Sequence, residues 1–242
     1  MSASTPFHKG KLLNTDTRWE FICQSVDDRN KNERRPGGIA KSRYESISLF
    51  ISEDKRNFKY YNDTKKTRNK WARRYIKKKA KEMEVNLDNK LLDHFAALFV
   101  RDNLCIFQGS LGHDPNLQET KLFEAIQSSN WNSVRFKPPP SMDSPIGWRV
   151  EFRTPDVQLT AGLTFLFCHS LQVLSRLLIK LFDEINFYMP MSLIDENFKR
   201  ANLINSATDQ KFFFRVNVFE PGKAQVEELT ILEIFEGKVY IE

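Results

Sequence analysis

The chain has 242 residues, with 37 Lys and Arg against 31 Asp and Glu, and a formal net charge of +6. Apolar residues make up 40% and charged residues 28%, which allows a packed core and excludes a chain disordered throughout. Mean hydropathy of −0.50 argues against a polytopic membrane protein. The three cysteines (Cys23, Cys105 and Cys168) are too few and too scattered for a disulfide framework or a zinc site, so a reducing compartment is expected. The opening MSASTPFHKGKLL lacks the apolar stretch of a secretion signal. The positive charge is local. Ten cations and no acid lie between Lys65 and Lys81, so a segment of +10 in a chain of +6 leaves −4 elsewhere.

In chain order, residues 1–25 read as a loop leading to a short apolar segment at Trp19–Cys23. Pro36-Gly37-Gly38 marks a turn, and Tyr44–Ser52 a short helix or strand. Lys65–Glu84 is rich in helix formers and predicts a solvated helix. Leu87, Leu91, Leu92, Phe95, Leu98 and Phe99 recur at helical spacing behind Asp88, a candidate N-cap. Lys121–Gln127 suggests another short helix, and no helix can continue through Pro138-Pro139-Pro140. Trp148–Phe152 and Val157–Leu159 alternate like strands. Leu163–Phe182 has near-transmembrane length, but His169, Gln172, Arg176 and Lys180 interrupt it, so a buried helix with one polar seam is expected. Glu196–Ala207 predicts a helix, Phe212–Phe219 a strand, and Val226–Phe235 a terminal helix stopping at Gly237. Strands scattered among helices without a βαβ rhythm point to an α+β fold with an antiparallel sheet.

Few residues carry chemistry on their own. Trp71 and Tyr75 interleaved with the basic run could stack bases while the cations grip phosphates, but a solvated surface insertion is the expected reading. His94 and His169 sit on apolar helices and are expected to be core residues rather than ligands or bases. The stretch Trp148-Arg149-Val150-Glu151-Phe152-Arg153 is different. On a strand, Arg149, Glu151 and Arg153 share one face. A carboxylate between two guanidinium groups can hold a divalent cation and phosphate together. A cross-strand salt-bridge ladder uses the same residues, and the pattern alone leaves the two readings level.

Several segments together resemble the middle of eukaryotic glutamate–cysteine ligase. They are Trp19 with Ser25-Val26-Asp27-Asp28-Arg29, Lys41-Ser42-Arg43-Tyr44, His94-Phe95-Ala96 with Arg101-Asp102, and Ile126-Gln127-Ser128-Ser129-Asn130-Trp131. Arg135-Phe136-Lys137-Pro138-Pro139-Pro140, Gly147 through Arg153, Val157-Gln158-Leu159 and Asp195-Glu196-Asn197-Phe198-Lys199 continue the match in the family's order. The resemblance implies an α+β chain forming part of an antiparallel-sheet funnel with flanking helices, the glutamine-synthetase-like ligase architecture, incomplete here. Residues 1–242 are then a partial catalytic domain with a basic insertion at 65–81.

The activity so implied is ATP- and Mg²⁺-dependent ligation of the γ-carboxylate of L-glutamate to L-cysteine, the first step of glutathione synthesis, through an acyl phosphate. Carried over residue by residue, Arg153 is the catalytic arginine that stabilises the transferring phosphoryl group. Arg18, Tyr44 and Trp131 bind substrate, Arg135 and Lys137 line the nucleotide end, and Glu151 is a magnesium ligand. A modifier subunit or a full-length ligase subunit is the implied protein partner. The cytoplasm is the expected location, no membrane is expected, and nucleic acid is an unlikely partner.

The departures are specific. The family's second histidine of HxAH is Ala97 here, its DFEN after VQL is Ala161-Gly162-Leu163-Thr164, and its Arg-Asp after the DEN helix is Ile204-Asn205. The family's N-terminal acidic magnesium ligands and C-terminal helical portion lie outside the match. The chain is therefore expected to lack turnover by itself, and a catalytically dead relative acting as an interaction protein is the alternative.

Overall fold

The computed structural model describes residues 7–8, 11–12, 27, 29–36, 49–64, 70–98, 134–141, 143–152 and 160–237. The chain divides into two compact units. One comprises Met1–Arg18, Ser52–Asp63 and Pro155–Glu242, the other Trp19–Ile51 and Thr64–Thr154. The predicted elements at Trp19–Cys23, Lys121–Gln127 and Val157–Leu159 lie outside the described residues.

The second unit contains a helix pair and a hairpin. Helix α1 spans Lys70–Glu82 and helix α2 spans Asn89–Leu98, both inside the predicted ranges. Ala72 and Ala80 are the buried positions of α1, and their small side chains allow close approach to α2, where Leu92, His94 and Ala96 are buried. Arg73 joins the helices, donating to Asp93 at 2.7 Å and Asn89 at 2.6 Å. Asp88 is the predicted cap: its Oδ1 accepts from the Lys90 and Leu91 amides at 2.6 and 3.0 Å. Helix α1 ends in a paired carbonyl closure, with the Val85 amide on Ala80 O and the Glu84 amide on Lys81 O. That closure places Glu84 at φ 57, a left-handed position that favours glycine.

The hairpin pairs β3 (Val134–Lys137) with β4 (Arg149–Phe152), antiparallel, with Arg135 opposite Glu151 and Lys137 opposite Arg149. The strand at β3 was not anticipated from the prolines that follow it. Those prolines end the strand because they cannot donate to a ladder.

The other unit has a two-residue ladder, β1 (Phe7–His8) with β2 (Lys11–Leu12), and a single 3-10 turn at Lys59–Tyr61. Helix α3 spans Ala161–Lys180, with Thr160 Oγ1 accepting from the Leu163 amide at 3.2 Å. Its helical state agrees with expectation and its burial does not. No residue of α3 is buried, Phe165 and Ile179 are 70% and 76% exposed, and the helix is long and apolar enough to cross a membrane. Apolar residues lie all round it, so one seam at Leu171, Ser175 and Leu178 is partly covered and the remainder faces outward.

Helix α4 (Met191–Ala201) begins five residues before the predicted start at Glu196, because Pro190 fixes the entry and Asp63 caps the first turn through Ser192 N at 2.9 Å. The predicted single helix to Ala207 stops at Ala201, and Asn205, φ 54, precedes the short α5 (Ser206–Asp209). Strand β5 (Phe212–Arg215) pairs with β6 (Val226–Leu229), antiparallel, with Phe212 opposite Leu229. The predicted terminal helix over Val226–Phe235 is thus half strand. Thr230 divides it: its side chain accepts from the Glu233 amide, Glu233 reaches back to the Thr230 amide, and this capping box starts α6 at Ile231 (Ile231–Glu236).

The centre of this unit is Arg215, 1% exposed, beside Tyr61, fully buried. Its guanidinium donates to the carbonyls of Asn217, Tyr188, Glu220 and Gly222 at 3.0–3.2 Å and to the Tyr61 hydroxyl at 3.4 Å. Asn217 closes the same loop by donating to Lys223 O and accepting from the Gln225 amide. Asn197 on α4 both donates to and accepts from the Phe213 backbone at 2.8 Å, so α4 substitutes for a third strand on β5.

Candidate active site

The β3–β4 hairpin holds three of the seven sequence-derived site residues: Arg135, Lys137 and Glu151. Arg18, Tyr44, Trp131 and Arg153 lie outside the described residues. Alternation places Arg135, Lys137, Arg149 and Glu151 on one face of the ribbon. All four are partly sheltered, whereas Val134, Val150 and Phe152 on the other face are exposed. The usual arrangement of a half-buried ribbon is reversed here.

On the charged face, Lys137 Nζ lies 3.1 Å from Glu151 Oε2, with both side chains about one-third exposed. Arg149 Nη2 donates to Pro138 O at 3.0 Å, which fixes the guanidinium beside the proline segment. The Arg149 Nε is buried without an acceptor among the described residues. Among the described residues this face carries three cations, Arg135, Lys137 and Arg149, and one carboxylate, Glu151. Planar guanidinium forks and an ammonium in a partly dehydrated setting suit a phosphate or carboxylate ligand.

The same residues do not by themselves make a magnesium site. Mg²⁺ requires several oxygen ligands in octahedral array. Glu151 offers one carboxylate, already engaged by Lys137. No group of three or more acidic, histidine or cysteine side chains that could hold a metal occurs among the described residues.

Of the two histidines expected in a core, His169 is instead exposed on α3, its ring stacked on Phe165, and His94 is buried. His94 is 7% exposed, and burial pushes its imidazole pKa down to about 4. It is a neutral core residue, as its place on an apolar helix suggested. Asp27 is clamped by Arg29 at 2.8 Å, and that hydrogen bond, aided by the charge of Arg34, holds its carboxyl below the ordinary range. Sequence reasoning missed two organising residues. The sequence pattern places Arg215 only within a strand, although a lone arginine inside Phe-Phe-Phe-Arg-Val is the kind of charge that must find buried partners. Asn197 stands in the sequence only as part of a motif, which carries no sign of its bonds to β5.

The glutamate-cysteine ligase family model matches residues 1–241. The chain belongs to the glutamate–cysteine ligase family. It is 39% identical over 243 residues to a glutamate–cysteine ligase of Schizosaccharomyces pombe, covering 98% of this chain and 34% of that protein. It is 40% identical over 253 residues to the Dictyostelium discoideum enzyme, covering 98% and 38%. Against the human glutamate–cysteine ligase catalytic subunit it is 36% identical over 234 residues, covering 94% and 35%. The chain therefore spans little more than a third of the length of these relatives.

Proposed function

We propose that this chain supplies the phosphate-facing strand pair of an ATP-dependent ligase that joins the γ-carboxylate of L-glutamate to the amine of L-cysteine. The observation that carries the reading is the reversed hairpin, with Arg135, Lys137 and Arg149 sheltered on one face together with Glu151. Amide formation from a free carboxylate is uphill in water. In the proposed reaction the γ-phosphoryl group of ATP passes to the glutamate γ-carboxylate, ADP leaves, the cysteine amine attacks the acyl carbon, and phosphate departs. Arg135, Arg149 and Lys137 would hold phosphate oxygens and neutralise the charge that develops there. Arg153 is proposed as the arginine nearest the transferring group, and Arg18, Tyr44 and Trp131 as substrate contacts. Magnesium would accompany ATP, with Glu151 as one of several oxygen ligands. The fold is proposed as one part of the family's sheet funnel, and the cytoplasm as its location.

The reading predicts that the purified chain forms no γ-glutamylcysteine alone. A chimera in which it replaces the matched segment of the fission-yeast ligase is predicted to do so. Product from the isolated chain would show that the site is complete here, and an inactive but folded chimera would point to a dead site.

A second reading is favoured by a separate observation, the outward apolar surface of α3. The chain would then be an interaction protein whose partner is a ligase polypeptide covering that helix. Association with the fission-yeast enzyme, lost on Phe165→Asp and Ile179→Asp, supports it. Flotation with neutral lipid vesicles would instead assign α3 to a bilayer.

A further inference from the structure

Helix α1 has an outward face that the ligase reading leaves unused. Its inner face is occupied: Ala72 and Ala80 are buried, and Arg73 is tied to Asp93 and Asn89 of α2. Trp71, 69% exposed, and Tyr75, 50% exposed, lie one turn apart on the opposite side. Their rings stack with centroids 5.5 Å apart and planes within 10°. Arg74 and Lys78 continue the stripe at the next helical spacings, and Lys70, Lys77 and Lys81 flank it, all exposed. Lys78 and Lys79 have Glu82 as counter-charge at 3.8 and 2.7 Å. Lys70, Arg74, Lys77 and Lys81 make no ion pair with described residues, so four cations are available to a ligand.

Three classes of polyanion can be weighed against this face. An acidic peptide would satisfy the cations and leave the ring faces without a partner. An anionic membrane needs an apolar arc to insert, and the arc of α1 is spent on α2. A double helix keeps its bases stacked inside and presents only phosphate. A single strand offers phosphates to the cations and unpaired bases to the outer faces of the ring stack. From this juxtaposition we infer that the Trp71–Tyr75 stripe of α1 is a binding site for single-stranded nucleic acid, independent of the ligase site.

The stacking observation reverses the weighting from sequence, which could not show that the two rings share the solvent face. Binding is led by charge and completed by stacking. With four phosphate contacts, the logarithm of affinity falls against the logarithm of salt with a slope of about −3. Each base stacked on a ring contributes roughly tenfold or more in affinity.

The test is fluorescence anisotropy of the full chain with a labelled short oligo-U RNA and the matching oligo-dT, across a salt series. The expected result is binding with a slope of about −3, a roughly tenfold loss on Trp71→Ala with the slope unchanged, and a flattened slope on joint Lys70→Gln, Arg74→Gln, Lys77→Gln and Lys81→Gln. All of these residues are exposed, and circular dichroism checks that each variant stays helical. A preference for oligo-U or for oligo-dT identifies the strand type within the proposal. Absence of binding overturns it. So does equal affinity for a duplex or for poly-glutamate, or for anionic vesicles, with no effect of Trp71→Ala.

Discussion

The two longer hairpins are built on opposite principles. In β5–β6 the apolar residues point inward: Phe212 and Leu229 are opposite one another, 8% and 4% exposed. The one buried charge, Arg215, spends its donors on four carbonyls and a tyrosine hydroxyl. In β3–β4 the charges lie on the partly sheltered face and Val150 and Phe152 on the exposed one, 55% and 42% exposed. The first hairpin is satisfied by its own unit. The second leaves Val150 and Phe152 of its apolar side exposed and gathers Arg135, Lys137 and Arg149 with Glu151 on the other side. The first arrangement is that of a scaffold, and the second is the one on which the proposed phosphate contact rests.

The largest effect that sharpens this contrast is at Arg215. Arg215→Met leaves several buried carbonyls without donors and is expected to cost on the order of 4 kcal/mol. Hydrogen exchange at the Val216, Ala224 and Gln225 amides would report it locally, and unchanged protection would break the scaffold assignment. A matched pair of truncations follows. Phe212→Ala is expected to cost about 3 kcal/mol and Phe152→Ala less than about 1 kcal/mol in urea denaturation. Equal costs would mean that the two hairpins are covered alike.

His94 gives a pH-dependent term in the helix pair. Its folded pKa of about 4 lies below the ordinary value of 6.5, so the unfolded chain binds the proton more readily. The stabilisation is full above pH 6.5, declines as pH falls, and is lost by the time pH passes below about 4, a total of about 3 kcal/mol. His94→Gln should remove that slope from the urea midpoint, and a titration of the imidazole near 6.5 in the folded chain would contradict it. The smallest effect is at Glu84, where φ is 57. Glu84→Gly should stabilise α1 by about 1 kcal/mol, read as a raised melting temperature.

Local chemistry was legible wherever the determinant was local. Helices α1 and α2 follow from helix formers and the Asp88 cap, and α3 from its long, breaker-free apolar stretch. Burial was not legible for α3, because periodicity reports what a helix could bury and not whether a partner is present. The break between β6 and α6 was missed because Val226-Glu227-Glu228-Leu229 has helical composition, and only the Thr230–Glu233 box separates the two. At the candidate site, strand alternation correctly placed Arg149 and Glu151 on one face. The partner strand was not anticipated, so the Lys137–Glu151 contact could not be foreseen. Arg215 and Asn197 escaped because their partners are backbone carbonyls and amides, which carry no sequence signature.

The central claim is that the charged face of β3–β4 grips the phosphates of ATP. The most direct measurement is the KM for ATP of the fission-yeast chimera carrying this chain, with Arg135→Met and Lys137→Met compared with the unaltered chimera. Loss of one charge-assisted phosphate contact in a sheltered site is expected to raise KM for ATP roughly tenfold or more in each variant, with KM for glutamate and cysteine little changed. An unchanged KM for ATP in both variants would contradict the account and leave the hairpin as a salt-bridged structural ribbon.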